Sequence, residues 1–176
     1  MLFRSLVQSS RKNDPSDSSW NVNGAGHDVS HKYGFGAVDA GAAVEMALNW
    51  VTLDTEFNAT YGPFYENQTI PDDDSSWSEF PLDVSHELRV ESIDVIVDID
   101  HTYRGDLDIV LESPAGTESW LAEDHNDAND DYSNWLFNTV HHWGESSLGE
   151  WKLKVRDAFS GENGTLNSWE IIFHGI

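Results

Sequence analysis

The stretch that decides the fold is residues 149–176, GEWKLKVRDAFSGENGTLNSWEIIFHGI. Trp151, Leu153 and Val155 alternate with Lys152, Lys154 and Arg156. After a turn at Glu162-Asn163-Gly164, Trp169, Ile171 and Phe173 alternate with Glu170 and His174. A two-residue period puts one set of side chains on a buried face and the other in solvent, the pattern of an antiparallel strand on a core. The same beat runs back through the chain. Leu107, Ile109 and Leu111 alternate with Asp108 and Glu112, ahead of a turn at Ser113-Pro114-Ala115-Gly116. Ile93, Val95, Val97 and Ile99 face one way and Asp94 and Asp98 the other, with Ile96 as the exception. Leu88 and Val90 share the apolar face only if the strand is irregular near Glu91–Ser92. Several short strands with turns at regular intervals predict an all-β, antiparallel jelly-roll β-sandwich. If consecutive strands run up and down, the loops 100–106, 124–133 and 157–165 gather at one end.

Residues 1–51 read differently. Leu2, Phe3, Leu6 and Val7 lie at helical spacing, RKNDPSDSS interrupts, and Asp39 is placed to cap a second helix. That helix carries Ala40, Ala43, Val44, Ala47 and Leu48 on one stripe. This short helical N-terminal segment has no core of its own. It is expected to lie across an interface with a neighbour. Residues 52–86, with Pro63, Pro71, Pro81 and the acidic run Asp72–Asp74, read as a linker leading into edge strands.

The chain of 176 residues carries 32 acidic and 9 basic residues, a net charge of −23. Such a surface repels phosphate backbones and anionic lipid, which excludes nucleic-acid and membrane-surface partners and suits divalent cations or cationic partners. With no cysteine, disulfides and thiol chemistry are excluded. No run reaches the ~18 apolar residues of a membrane span. The first ten residues lack the apolar stretch of a secretory signal, so a signal peptide is expected upstream.

Four stretches, HTYRGDLDIVLESPAGT (101–117), WLFNTVHHWGE (135–145), GEWKLKV (149–155) and GTLNSWEIIFHG (164–175), resemble in order and spacing the P domain (Homo B domain) of kexin/furin-like proprotein convertases. The likeness covers 52–176. In addition, NVNGAGHDVSHKYGFGAVDAGAAVEMALNW (21–50) resembles the closing stretch of a kexin-like subtilisin catalytic domain. The resemblance implies two parts: residues 1–51 as the C-terminal remnant of a subtilisin-like catalytic domain, and residues 52–176 as the P domain. It implies a non-catalytic module of a secreted serine endoprotease. That module would aid folding and stability of the catalytic domain in the same polypeptide, tune calcium dependence and contact protein substrate. The family's catalytic Asp, His and Ser motifs are not found in this sequence. The competing reading is an independent carbohydrate- or protein-binding β-sandwich, which Trp120, Trp135, Trp143, Trp151 and Trp169 permit, although Trp151 and Trp169 are in phase with core residues.

For calcium, Asp127, Asn129 and Asp131 follow D-x-N-x-D, the opening of an EF-hand loop. Its completion fails, because Tyr132 replaces the glycine and Asn138 the bidentate glutamate. A local site with help from Asp106 or Asp157 is the remaining metal candidate, against an acidic loop of Asx turns. Zinc is disfavoured: His141 and His142 are adjacent and would point to opposite faces of a strand. The Arg104-Gly105-Asp106 triplet reads as a turn, with its charges paired to nearby loops. The Lys152, Lys154, Arg156 stripe is expected to pair across the sheet with acidic neighbours such as the Asp94/Asp98 stripe, with a docking surface as the alternative. Asn58, Asn67 and Asn163 head glycosylation sequons.

Overall fold

The computed structural model describes residues 2–72 and 76–176, without the side chains of Leu2 and Phe3. Asp73 and Asp74 of the acidic run, and the part of the first helix face read from Leu2 and Phe3, thus lie outside the described residues. Eight strands build the body: β3 (Phe57–Phe64), β5 (Ser78–Val84), β6 (Val90–Asp100), β7 (Leu107–Glu112), β8 (Glu118–Ala122), β9 (Tyr132–Thr139), β10 (Gly149–Asp157) and β11 (Gly164–Gly175). A short β4 (Gln68–Ile70) adds to β11. One sheet has the order β5-β10-β7-β8 and the other β3-β11-β6-β9. The pairings are nested: β3 with β11, β5 with β10, β6 with β9, and β7 with β8, all antiparallel. A long antiparallel ribbon folded over on itself produces that nesting, which is the jelly roll.

Alternation sets the core. Trp151, Leu153 and Val155 of β10 meet Val95, Val97, Ile171 and Phe173 of the facing sheet, all essentially inaccessible. The indole of Trp151 packs edge-on against Phe173 at 5.0 Å between ring centroids, joining the two sheets at their middle strands. The expected irregularity is present. β6 pairs Ser92 with His174 and then Val90 with Gly175, so Glu91 is the extra residue. The bulge lets Val90 and Ile93 face the core together.

The cationic stripe of β10 corrects the sequence reading. β10 and β6 belong to different sheets, so Lys152, Lys154 and Arg156 cannot reach Asp94 or Asp98. Lys152 pairs with Glu79 on β5, Lys154 with Glu112 on β7 and Glu118 on β8, and Arg156 with Asp108 on β7, all within the sheet of β10. Asp94 pairs instead with His174 at 2.9 Å, across the β6–β11 ladder. His174 therefore sits on the outer face of a central strand.

Ahead of the body lie α1 (Leu2–Ser9), a hairpin of β1 (Trp20–Val22) and β2 (Asp28–Ser30), and α2 (Ala40–Leu48). Asp39 caps α2 by accepting from the Ala42 amide at 2.9 Å. The hairpin was not expected from the sequence. Its turn is held by Asn23, whose Oδ1 accepts from the amides of Ala25 and His27. Of the apolar stripe on α2, Ala43 is buried, whereas Val44 and Leu48 are 62% and 79% exposed. Among the described residues no helix is long and apolar enough to cross a membrane.

Candidate functional site

The three loops expected at one end do converge there. The amide of Gly105 donates to the Asp127 carbonyl at 3.1 Å, and its own carbonyl accepts from the His125 amide at 2.8 Å. Asp131 and His101 join their backbones at 2.9 Å, and the Ala158 amide donates to the Asp106 carbonyl at 2.8 Å. A side chain at Gly105 would collide with the His125 carbonyl and the backbone of Asp127, so the contact requires glycine.

The five candidate calcium residues are brought to this end and divided among partners. Arg104 donates from Nε to Asp127 at 2.8 Å, and its guanidinium lies 5.0 Å from the ring centre of Trp135. That pairing holds the Asp127 carboxyl below its ordinary range, and Asn129 adds to it. The Asp131 carboxylate accepts from the His101 amide at 2.8 Å. Asp157 is fully buried, 3.1 Å from His101 Nε2. Asp106 is the least settled of the five: burial pushes its carboxyl upward, and the charge of Asp157 pushes the same way. Among the described residues, no three histidine, aspartate or glutamate side chains lie close enough to share one ion. The set therefore does not form a closed cage, and a cation here would rely on backbone carbonyls and water.

A second constellation joins the N-terminal segment to the sandwich. Trp143, 3% exposed, sits beneath His27, Phe35 and the Arg4 guanidinium. Its Nε1 donates to Glu91 Oε2 at 3.0 Å, and Arg4 Nε donates to Glu91 Oε1 at 2.8 Å. The β6 bulge thus presents one carboxylate to both parts of the molecule. Asn23 Nδ2 donates to the carbonyls of His141 and Trp143, at 3.0 Å each. The Gly24 amide and the Thr117 hydroxyl both donate to Glu145 Oε1, at 2.7 and 2.6 Å. Burial opposes the charge on Glu145, but His142 and Thr117 outweigh it and hold the carboxyl at about 2. Burial, reinforced by His142 and His31, lowers His141 to about 4. The two histidines lie in a turn rather than a strand. The sequence singled out HHWGE but did not reveal that Arg4, Asn23 and Gly24 close over it. The pairs lie 87 to 121 positions apart, beyond any local pattern.

The remaining motifs are structural. Trp143, Trp151 and Trp169 are buried, and Trp135 is covered on one side by Arg104. Trp120 packs edge-on against Trp77, so the five tryptophans form no common platform.

A jelly roll with its ribbon nested in this way, joined to a capped-helix segment through a Trp-Gly-Glu turn, matches known proteins. Residues 90–173 match the model of the proprotein convertase P-domain. The chain belongs to the proprotein convertase P-domain family. It is 37% identical to proprotein convertase subtilisin/kexin type 6 of Rattus norvegicus over 97% of its length and 20% of the relative's. It is 36% identical to protease KEX1 of Kluyveromyces lactis, over 96% of this chain and 23% of that one, and 34% identical to furin of Bos taurus, over 97% and 22%. The chain thus spans about a fifth of the length of the curated relatives it matches. The solved serine protease of Aeromonas sobria superposes with a TM-score of 0.85 over 99% of this chain and 40% of its own, at 22% identity, a likeness of fold.

Proposed function

We propose that this P-domain chain is the non-catalytic part of a kexin-like, subtilisin-family serine endoprotease. In this reading residues 1–51 are the end of the catalytic domain and residues 52–176 support it, in an exported parent protein. One observation carries the proposal. The N-terminal segment is pinned to the sandwich by Trp143, Glu91 and Glu145, while the opposite stripe of α2, with Val44 and Leu48, is left bare. A helix anchored on one side and apolar on the other is half of an interface. An interface of ~600–1,500 Å² between domains, at ~25 cal/mol per Å² of its apolar part, contributes several kcal/mol. In this reading peptide hydrolysis belongs to the rest of the parent protein.

The test is a parent protein read in frame upstream of Met1. Val44→Asp with Leu48→Asp should reduce the yield of active protease at least tenfold and leave the melting of the 176-residue chain within about 2 °C. Unchanged protease yield would remove the interface. Calcium is part of the proposal, at Asp106 and Asp157 of the loop end. A calcium titration should raise the melting temperature of the native chain and not that of Asp106→Asn. A millimolar titration without heat or melting shift would remove the cation.

A further inference from the structure

The two outer faces of the sandwich are unlike. Outside β10, each cation is matched by a carboxylate on an adjoining strand. Outside β6 and β11, no lysine or arginine stands on the strands at all. This second face holds a groove of about 400 Å³ that crosses all four strands. Tyr65 and Pro63 stand at its β3 end, Ser168 and Glu170 on β11, Ile96 and Asp98 on β6, and Asn134 on β9. The register explains the row: Glu170 is opposite Ile96, and Ser168 is opposite Asp98. Tyr65 is 75% exposed, a large aromatic ring left open among the described residues. Among the described residues neither Asp98 nor Glu170 has an ion-pair partner.

We propose that this groove binds a neutral polysaccharide. A free aromatic ring beside a line of small polar groups is the chemistry that takes a pyranose. The ring stacks on the apolar face of the sugar, and carboxylates accept from its vicinal hydroxyls. The Asn134 amide and Ser168 hydroxyl both donate and accept. The volume holds about two sugar rings and lies within the ~300–1,000 Å³ usual for ligand sites. The absence of cations from these strands excludes anionic glycans. A basic peptide would also satisfy the carboxylates, and it is the alternative that the test below separates. The site is independent of the role proposed above, since no residue of 1–51 lines it.

The test is affinity electrophoresis of the full chain in gels containing laminarin, xylan, galactomannan or dextran, with alginate as the anionic control. Binding of oligolysine and of calcium is measured in parallel by calorimetry. Retardation is expected in at least one neutral gel and not in alginate. Tyr65→Ala and Asp98→Asn should each weaken it tenfold or more. Both residues are at the surface, and unchanged melting temperatures will show that the variants fold. Migration unaltered in every neutral gel, or retardation that survives both substitutions, overturns the proposal. Oligolysine binding lost in Asp98→Asn without any glycan retardation also overturns it and makes the groove a basic-peptide site.

Discussion

Trp143 shows what a single side chain contributes to this molecule. It is almost wholly buried and touches both the sandwich and the N-terminal segment. Trp143→Ala should cost about 3–5 kcal/mol, measurable by denaturant unfolding. Lys32→Ala, which removes the exposed pair with Asp17, should leave the denaturant midpoint unchanged, because solvent screens such a pair. His141 gives a pH prediction. Its imidazole titrates near 4 in the folded chain, against an ordinary 6.5. The unfolded chain therefore takes up the proton first on acidification. The stabilisation is complete above about pH 6.5 and drains away as pH falls toward 4. His141→Gln should flatten the melting-temperature curve in that window. A second fall, from Glu145, should persist between about pH 4.5 and 2. Asp106 has the opposite sign: its raised carboxyl costs stability once ionised, so Asp106→Asn should melt higher at pH 7 in the absence of calcium.

Among elements, the N-terminal segment behaves as part of the sandwich's own surface. Removing residues 1–50 uncovers Trp143 and leaves Glu91 and Glu145 without Arg4 and the Gly24 amide. At about 2–4 °C per kcal/mol, the remaining strands should melt roughly 10 °C lower, by calorimetry or circular dichroism. The strands themselves were legible because burial alternates along β10, and along β6 and β11 on either side of one irregularity in each. The bulge at Glu91 could be read too, since Val90 and Ile93 must face one way. Alternation does not say which sheet a strand joins, so the partners of Lys152, Lys154 and Arg156 were misassigned. The hairpin of β1 and β2 escaped because three-residue strands carry too little period to detect. At the loop end, the aspartates could be placed together from strand order. Their division between Arg104 and His101 could not, because it depends on the close approach at Gly105.

For the whole molecule, the net charge of −23 dominates. Like charges spread over one small body repel one another, and salt screens them over about 8–10 Å at physiological strength. The melting temperature should climb by several degrees between about 20 and 500 mM sodium chloride; a flat response would mean that the carboxylates are locally compensated. The imbalance falls unevenly, with β10 neutralised on one face and the β6–β11 face left acidic.

The position of β11 bears on how such a chain is made. This final strand is the hub of its sheet, meeting β3, β4 and β6. During synthesis, at about 5–20 residues per second, those three strands leave the ribosome with their central partner still unmade. For several seconds the growing polypeptide holds unpaired, sticky edges that nothing inside it can cover. A chain built this way cannot finish its sandwich early, and a truncation just short of Gly164 would leave a permanent orphan for chaperones and quality control.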